Sequence, residues 1–286
     1  MFDFDRFIIN PDKSQTVRGR EMIVNNNRKV EEIARRIDAG DLEWLCKAVK
    51  FTEHSPKSKM ADKHSLSTSV RLNPFCQARQ CMKCREKDGA EPVCPYCFAN
   101  AINNARPTVD YAMTRNSEIL WNVEIPAEVW RKCKAKEILG WREPDARFNS
   151  LGDAANPTEC KNYIHITEAF PEMSWTPWSK NDWFWYQAYE EIGKPENMIY
   201  IHSSLFLNQI DEGPAWMQKY IDYIFTVFTE EYAMKHPEIV MNCCTLANKG
   251  RQCRRDCNEC YRKGCYRYRN ELVRGYKGGE KTRRDK

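Results

Sequence analysis

The sequence predicts an α/β fold in which parallel strands alternate with helices and curl into a partial barrel of six βα units. Three observations predict it. From residue 146 onward, short apolar runs of strand length recur, each followed by a segment with helical spacing. The intervening segments have crossover length, which joins parallel strands in the right-handed sense. The unusual polar and cysteine groups each follow a strand, the end where such barrels carry their chemistry.

Residues 1–63 read as a helical lead. VEEIARRIDAG (30–40) has helical spacing and a stop at Gly40, and DLEWLCKAVKF (41–51) continues as a second short helix. HSPKSKMADKH (54–64) is polar and irregular, a loop. Residues 64–246 read as the barrel. In SLSTSVRLN (65–73), the alternation of Leu66, Thr68, Val70 and Leu72 predicts the first strand. From Cys97 to about residue 138 the chain reads as helical, interrupted at Pro107 and Pro126. The remaining units run in order: strand 146–151 and helix 157–170, strand 173–179 and helix 181–193, strand 198–205 and helix 214–222, strand 223–229 and helix 230–238. IVMNCCTL (239–246) supplies the sixth strand, and 247–286 form a cysteine-rich, basic extension.

The N-terminus, MFDFDRFIINPDK, lacks the basic start and long apolar stretch of an export signal, and no apolar run is long enough to span a membrane. These features predict a cytoplasmic protein without membrane contact, in which thiols serve as ligands more often than as disulfides. Net charge is +5. Residues 251–286 hold thirteen Lys/Arg against five Asp/Glu, so this stretch carries +8 and the rest −3. The tail RGYKGGEKTRRDK is a candidate phosphate contact, hence a candidate nucleic-acid contact, and otherwise a solvated terminus.

Of the fourteen cysteines, eleven fall in two knots, and Cys46, Cys133 and Cys160 stand alone. The first knot holds Cys76, Cys81, Cys84, Cys94 and Cys97. Thiolates at such short spacing converge on a metal ion or cluster, and two readings stay open. Cys81-x2-Cys84 with Cys94-x2-Cys97 suits a tetrahedral zinc. Three of the five could instead hold a 4Fe–4S cluster with one iron left open. The second knot holds Cys243, Cys244, Cys253, Cys257, Cys260 and Cys265. It reads equally as a structural zinc clip or as a second iron–sulfur cluster.

Cys84-x9-Cys94-x2-Cys97, with Tyr96 before the last cysteine, resembles the variant cluster motif of Elp3-like members of the radical S-adenosylmethionine (SAM) superfamily. FNSLGDAANPTECKNYI resembles that superfamily's glycine-rich stretch after the second strand, with Gly152 and Asp153 where its members bind the SAM amino group. A closer resemblance is to the phage gene-product-88-like proteins. CQARQC with CFA, LGDAAN (151–156), WSKN (178–181) and the second knot match that family in order over roughly residues 65–265. That match favours Cys76 and Cys81 as partners of Cys97, whereas the first favours Cys84, Cys94 and Cys97.

The resemblance implies a partial (βα)6 TIM-like barrel of radical SAM type, located in the cytoplasm of a bacterial host if phage-encoded. It implies a 4Fe–4S cluster and SAM as cofactors, reductive SAM cleavage, and hydrogen abstraction from a peptide, nucleotide or RNA substrate. Asp153 and Lys180 are then the candidate catalytic residues. Tyr96, Gly152, Asp153, Ser203 and Asn208 are the candidate cofactor contacts. Cys244, Cys253, Cys257, Cys260 and Cys265 are the candidate ligands of the second knot. A zinc-binding, non-enzymatic nucleic-acid-binding protein, or an iron–sulfur barrel without SAM, are the alternatives. His165 and His202 read as ordinary histidines, His202 being the better pocket candidate. Trp175, Trp178, Trp183 and Trp185 read as core.

Overall fold

A computed structural model describes residues 5–55, 60, 62–76, 91–94, 107–240, 257–264 and 267–272. Helix α1 (Val17–Asp38) starts where the Thr16 hydroxyl accepts from the Gly19 N–H, and it buries Ile23, Asn26, Val30 and Ile33 along one face. Helix α2 (Leu42–Ala48) is capped by Asp41. A short strand β1 (Thr52–Glu53) then turns antiparallel onto β2 (His64–Leu66). Helices α3 (Pro107–Leu120) and α4 (Ala127–Ile138) precede β3 (Asp145–Phe148). There follow α5 (Pro157–Ala169), β4 (Ser174–Ser179), α6 (Asp182–Ile192), β5 (Ile201–Ser203) and β6 (Tyr223–Phe228). Two short helices, α7 (Glu230–Lys235) and α8 (Pro237–Val240), and strand β7 (Tyr268–Leu272) complete the described chain.

The seven strands form one sheet in the order β1-β2-β3-β4-β5-β6-β7. Every pair from β2 to β7 is parallel. The fold is therefore α/β with a mostly parallel sheet. Register sorts the side chains onto two faces. Leu66, Ala146, Phe148, Trp175 and Ile224 point into the main core with Trp130, Ile138, Tyr163, Ile164 and Trp185 from the helices. Phe148 stacks between Tyr163 (4.3 Å) and Trp175 (4.9 Å). The opposite face carries Ser65, Arg147, Thr176, Trp178, Ile201, Tyr223 and Phe225. The Arg147 guanidinium lies 4.0 Å from the Trp178 ring centre on this face.

Three elements depart from the sequence expectation. The first strand ends at Leu66 instead of running to residue 72. Beyond it, serine hydroxyls capture the backbone: Ser117 Oγ accepts from the Ser69 N–H at 2.7 Å, and Ser69 Oγ from the Leu72 N–H at 3.2 Å. The helix expected over 214–222 shrinks to a 3-10 turn at Ala215–Met217. There the N–H groups of Asp222 and Tyr223 turn to the Tyr200 carbonyl, drawing the segment onto β5. The strand expected at 239–246 is helical at 239–240, because Pro237 opens α8, and residues 241–246 lie outside the described residues. The sixth parallel strand is β7, from the stretch read as an extension. Its buried Arg269 and Asn270 hide a strand behind a polar sequence.

Candidate functional site

The site lies at the carboxyl ends of β3, β4 and β5. After β3 the chain turns through Asn149 (φ 51°) and Gly152 (φ 87°). A Cβ on Gly152 would press against Val70 Cγ2 at 3.2 Å and stand 3.8 Å from Cys76 Sγ, so glycine, with its positive φ, suits this close approach to the loop of the first cysteine. The two loops are tied directly. Asn73 Nδ2 donates to the Asp153 carbonyl at 2.6 Å, and the Asn73 carbonyl accepts from the Cys76 N–H at 3.1 Å.

Asp153 is buried, and three donors hold its carboxylate. The Ala154 N–H (2.7 Å) and the Ser179 hydroxyl (2.6 Å) reach Oδ1, and the Lys180 N–H (2.7 Å) reaches Oδ2. It therefore joins the loop after β3 to the end of β4. Burial pushes its pKa up to about 6, against the lowering pull of the Lys180 charge and the three hydrogen bonds. Lys180 sends its ammonium across to Ser203 Oγ on β5, at 3.2 Å.

Beneath this loop lies a second buried carboxylate, Glu159. It accepts from Thr68 Oγ1 (2.8 Å), Tyr163 OH (2.7 Å), Asn149 Nδ2 (3.3 Å), Trp121 Nε1 (2.7 Å) and the Ala155 N–H (2.8 Å). Burial raises its pKa, and the surrounding donors oppose the rise. The Asn156 side chain accepts from the Glu159 N–H at 2.9 Å and so caps the start of α5. Glu159 thus fixes the turn that presents Gly152 and Asp153.

The second described cysteine of the first knot, Cys94, sits on the same edge. Its segment pairs with the residues after β5: Pro92 bridges Phe206, the Val93 N–H donates to the Leu205 carbonyl (2.9 Å), and the Leu207 N–H to the Glu91 carbonyl (2.7 Å). Cys76 and Cys94 thereby flank the strand end that carries Lys180. Cys81, Cys84, Tyr96 and Cys97 lie outside the described residues. Asn208 is not part of this gathering. It has φ 60° and spends its Oδ1 on the Thr229 N–H at 2.9 Å, fastening the end of β6.

The second knot corrects one expectation. Its described part lies at the opposite, amino-terminal edge of the sheet. The Cys260 carbonyl accepts from Thr176 Oγ1 (3.4 Å), the Tyr261 carbonyl from Ser174 Oγ (2.9 Å), and Asn258 Nδ2 donates to Asp145 Oδ2 (2.7 Å). Because β7 follows this segment and runs parallel to β6, the chain must first return to that edge. Cys257 belongs to the same stretch. Cys244, Cys253, Cys265 and the tail after residue 272 lie outside the described residues. Among the described residues, no group of three or more His, Cys, Asp or Glu converges to hold a metal ion.

His202 faces the helix layer, with Nδ1 2.9 Å from Asp182 Oδ2 and Nε2 3.5 Å from Asp211 Oδ2. Burial would lower its pKa, but the two carboxylates carry it up to about 9. This makes it a clasp between α6 and the loop after β5. His165 lies at the surface between Glu124 and Glu168. Trp175 and Trp185 are core, whereas Trp183, expected in the core, is 54% exposed. Sequence reasoning missed Asn73 and Glu159. The Asn-x-x-Glu spacing of Asn156 and Glu159, a helix-start signature, could have found the second.

No protein-family model matches the chain, and neither a curated protein nor a solved structure shows significant similarity to it. Among the described residues no helix is long and apolar enough to cross a membrane.

Proposed function

We propose that this chain is an iron–sulfur protein of radical SAM type, built on a partial (βα)6 barrel. Sequential order among the parallel strands supports the barrel: right-handed crossovers then lay every helix on one face, and such a sheet curls. One observation carries the function. Cys76 lies against Gly152, and with Asp153, Lys180 and Cys94 it shares the carboxyl edge of three neighbouring strands.

In this reading three of Cys76, Cys81, Cys84, Cys94 and Cys97 hold a 4Fe–4S cluster, since thiolate donors suit iron–sulfur sites. When bound, the cluster and SAM supply a carbon-centred radical able to remove hydrogen from a substrate. The protein's own residues shape the site. Gly152 keeps the backbone close to the cysteine loop. Asp153 and Glu159 hold that backbone in place and away from water. Lys180 and Ser203 offer a cation and a hydroxyl to a polar substrate group. Cys257 and Cys260 belong to a second centre, zinc or iron–sulfur, that clips the C-terminal segment to the far edge.

Protein purified without oxygen is expected to be brown and to contain iron and acid-labile sulfide. With SAM and a reductant it is expected to release 5′-deoxyadenosine. Colourless protein carrying stoichiometric zinc would overturn the reading in favour of a zinc-binding, non-enzymatic protein. A second reading, an iron–sulfur barrel that does not use SAM, is favoured by the three internal hydrogen bonds on Asp153, which commit the carboxylate to the protein. It predicts iron and sulfide without 5′-deoxyadenosine.

A further inference from the structure

Two cysteines that stand alone in the sequence meet in the fold. Cys46 is on α2 and Cys133 on α4, and the two helices pack side by side. The contact is reciprocal. Cys46 Sγ lies 3.9 Å from the Val129 carbonyl, one turn before Cys133. Cys133 Sγ lies 3.7 Å from the Glu43 carbonyl, one turn before Cys46. Each thiol thus reaches the backbone of the other's helix, and Cys133 is near enough to help push the Cys46 thiol up. Cys46 is fully buried and Cys133 is half-buried.

We propose that Cys46 and Cys133 are a redox modification site: a thiol pair that closes to a reversible disulfide between α2 and α4. The oxidant is a low-molecular-weight disulfide of the glutathione class. The Cys133 thiolate, the accessible partner, attacks one sulfur of the small disulfide and expels a glutathione thiolate. The Cys46 thiolate then attacks the Cys133 sulfur of the mixed disulfide; the Cys46–Cys133 S–S bond forms as the bond to the glutathione sulfur breaks, and the second glutathione leaves as its thiolate. Two protein S–H bonds are lost and one S–S bond forms; the two electrons reduce one glutathione disulfide to two thiols. Burial pushes the Cys46 thiol up, which makes this closing step the slow one.

The consequence reaches the candidate site through chain order. Helix α2 leads into β1 and β2, after which the Cys76 loop begins, and α4 leads into β3, after which Gly152 and Asp153 follow. A bond between the helices therefore joins the two segments that build the carboxyl edge. The proposal rests on helix packing and not on the identity of any metal.

The test uses the full chain, purified without oxygen, treated while folded with oxidised glutathione, alkylated, and digested without reduction. The expected result is a Cys46–Cys133 linked peptide pair that dithiothreitol separates, together with a rise in the thermal midpoint that Cys133→Ser abolishes. Recovery of the two cysteines as separately alkylated thiols, or of glutathione stably retained on Cys133 alone, would overturn the proposal. So would an equal rise of the midpoint in Cys133→Ser.

Discussion

The two edges of the sheet each bury an aspartate beside β3, and they treat it differently. At the amino edge, Asp145 meets the fully buried Lys63 at 2.8 Å and Asn258 at 2.7 Å, while the Lys63 ammonium also sits 4.2 Å from the centre of the Tyr261 ring. A charge is answered by a charge, and the answer nails the C-terminal segment to the sheet. At the carboxyl edge, Asp153 is held by two N–H groups and a hydroxyl, and burial leaves it titrating at about 6. One edge is locked; the other keeps a carboxyl group able to exchange its proton near neutrality, as befits a site.

The largest expected effect breaks the lock. Lys63→Ala strands Asp145 as a buried charge with a single amide partner and should cost about 3–5 kcal/mol in urea or thermal unfolding. The double change Lys63→Met with Asp145→Leu should recover much of that loss, because a matched apolar pair removes both desolvation costs. A Lys63→Ala variant as stable as the parent would erase the contrast between the edges.

Asp153→Ala comes next, at about 2 kcal/mol, since it leaves a buried hydroxyl and buried N–H groups without their acceptor. The pH dependence is specific. The folded carboxyl titrates at about 6 against an ordinary 3.8, so the folded state keeps its proton to higher pH. The group's contribution to stability is full at acid pH and declines as pH rises from about 4 to about 6. Asp153→Asn should flatten that part of the stability curve, read as urea midpoints across a pH series.

A third carboxylate sharpens the comparison: the Arg115 charge pulls on it, but no hydrogen bond among the described residues holds it. Glu118, on α3, is fully buried, neither oxygen has a hydrogen-bond partner among the described residues, and burial carries its pKa up to about 9 against the opposing Arg115 charge. Its contribution to stability declines as pH rises from the ordinary carboxylate range towards 9. Glu118→Gln should therefore stabilise the protein by about 1–2 kcal/mol at pH 8 and by nothing near pH 4. The smallest effect is Gly152→Ala, about 1 kcal/mol from the positive φ. In protein carrying the proposed cluster, the iron this variant loses on gel filtration should be out of proportion to that small change in stability.

Much of this was legible in advance. Ala146, Phe148, Trp175 and Ile224 follow the strand pattern because burial selects them. Gly152, Asp153, Lys180 and Ser203 were found by their place after strands. The hidden parts share a physical cause. Strand β7 reads as polar because its Arg269 is buried over the Tyr223 ring, 4.5 Å from its centre. The Lys63–Asp145 pair, the contacts of Glu159 with Thr68 and Trp121, and the Cys46–Cys133 contact join residues far apart in the chain, and no local periodicity reports such meetings. Trp183 reads as core because large aromatic side chains usually bury, yet its position on the first turn of α6 turns it to solvent.

Strand β7 also sets the order in which the molecule can be finished. Until residues 268–272 have left the ribosome, β6 has no partner on that side and offers a row of open N–H and C=O groups. Residues 268–272 then cover β6 with a strand bearing Arg269 and Glu271, charges of the kind that blunt a sheet edge, so a chain cut short before them would expose the more apolar β6 and aggregate.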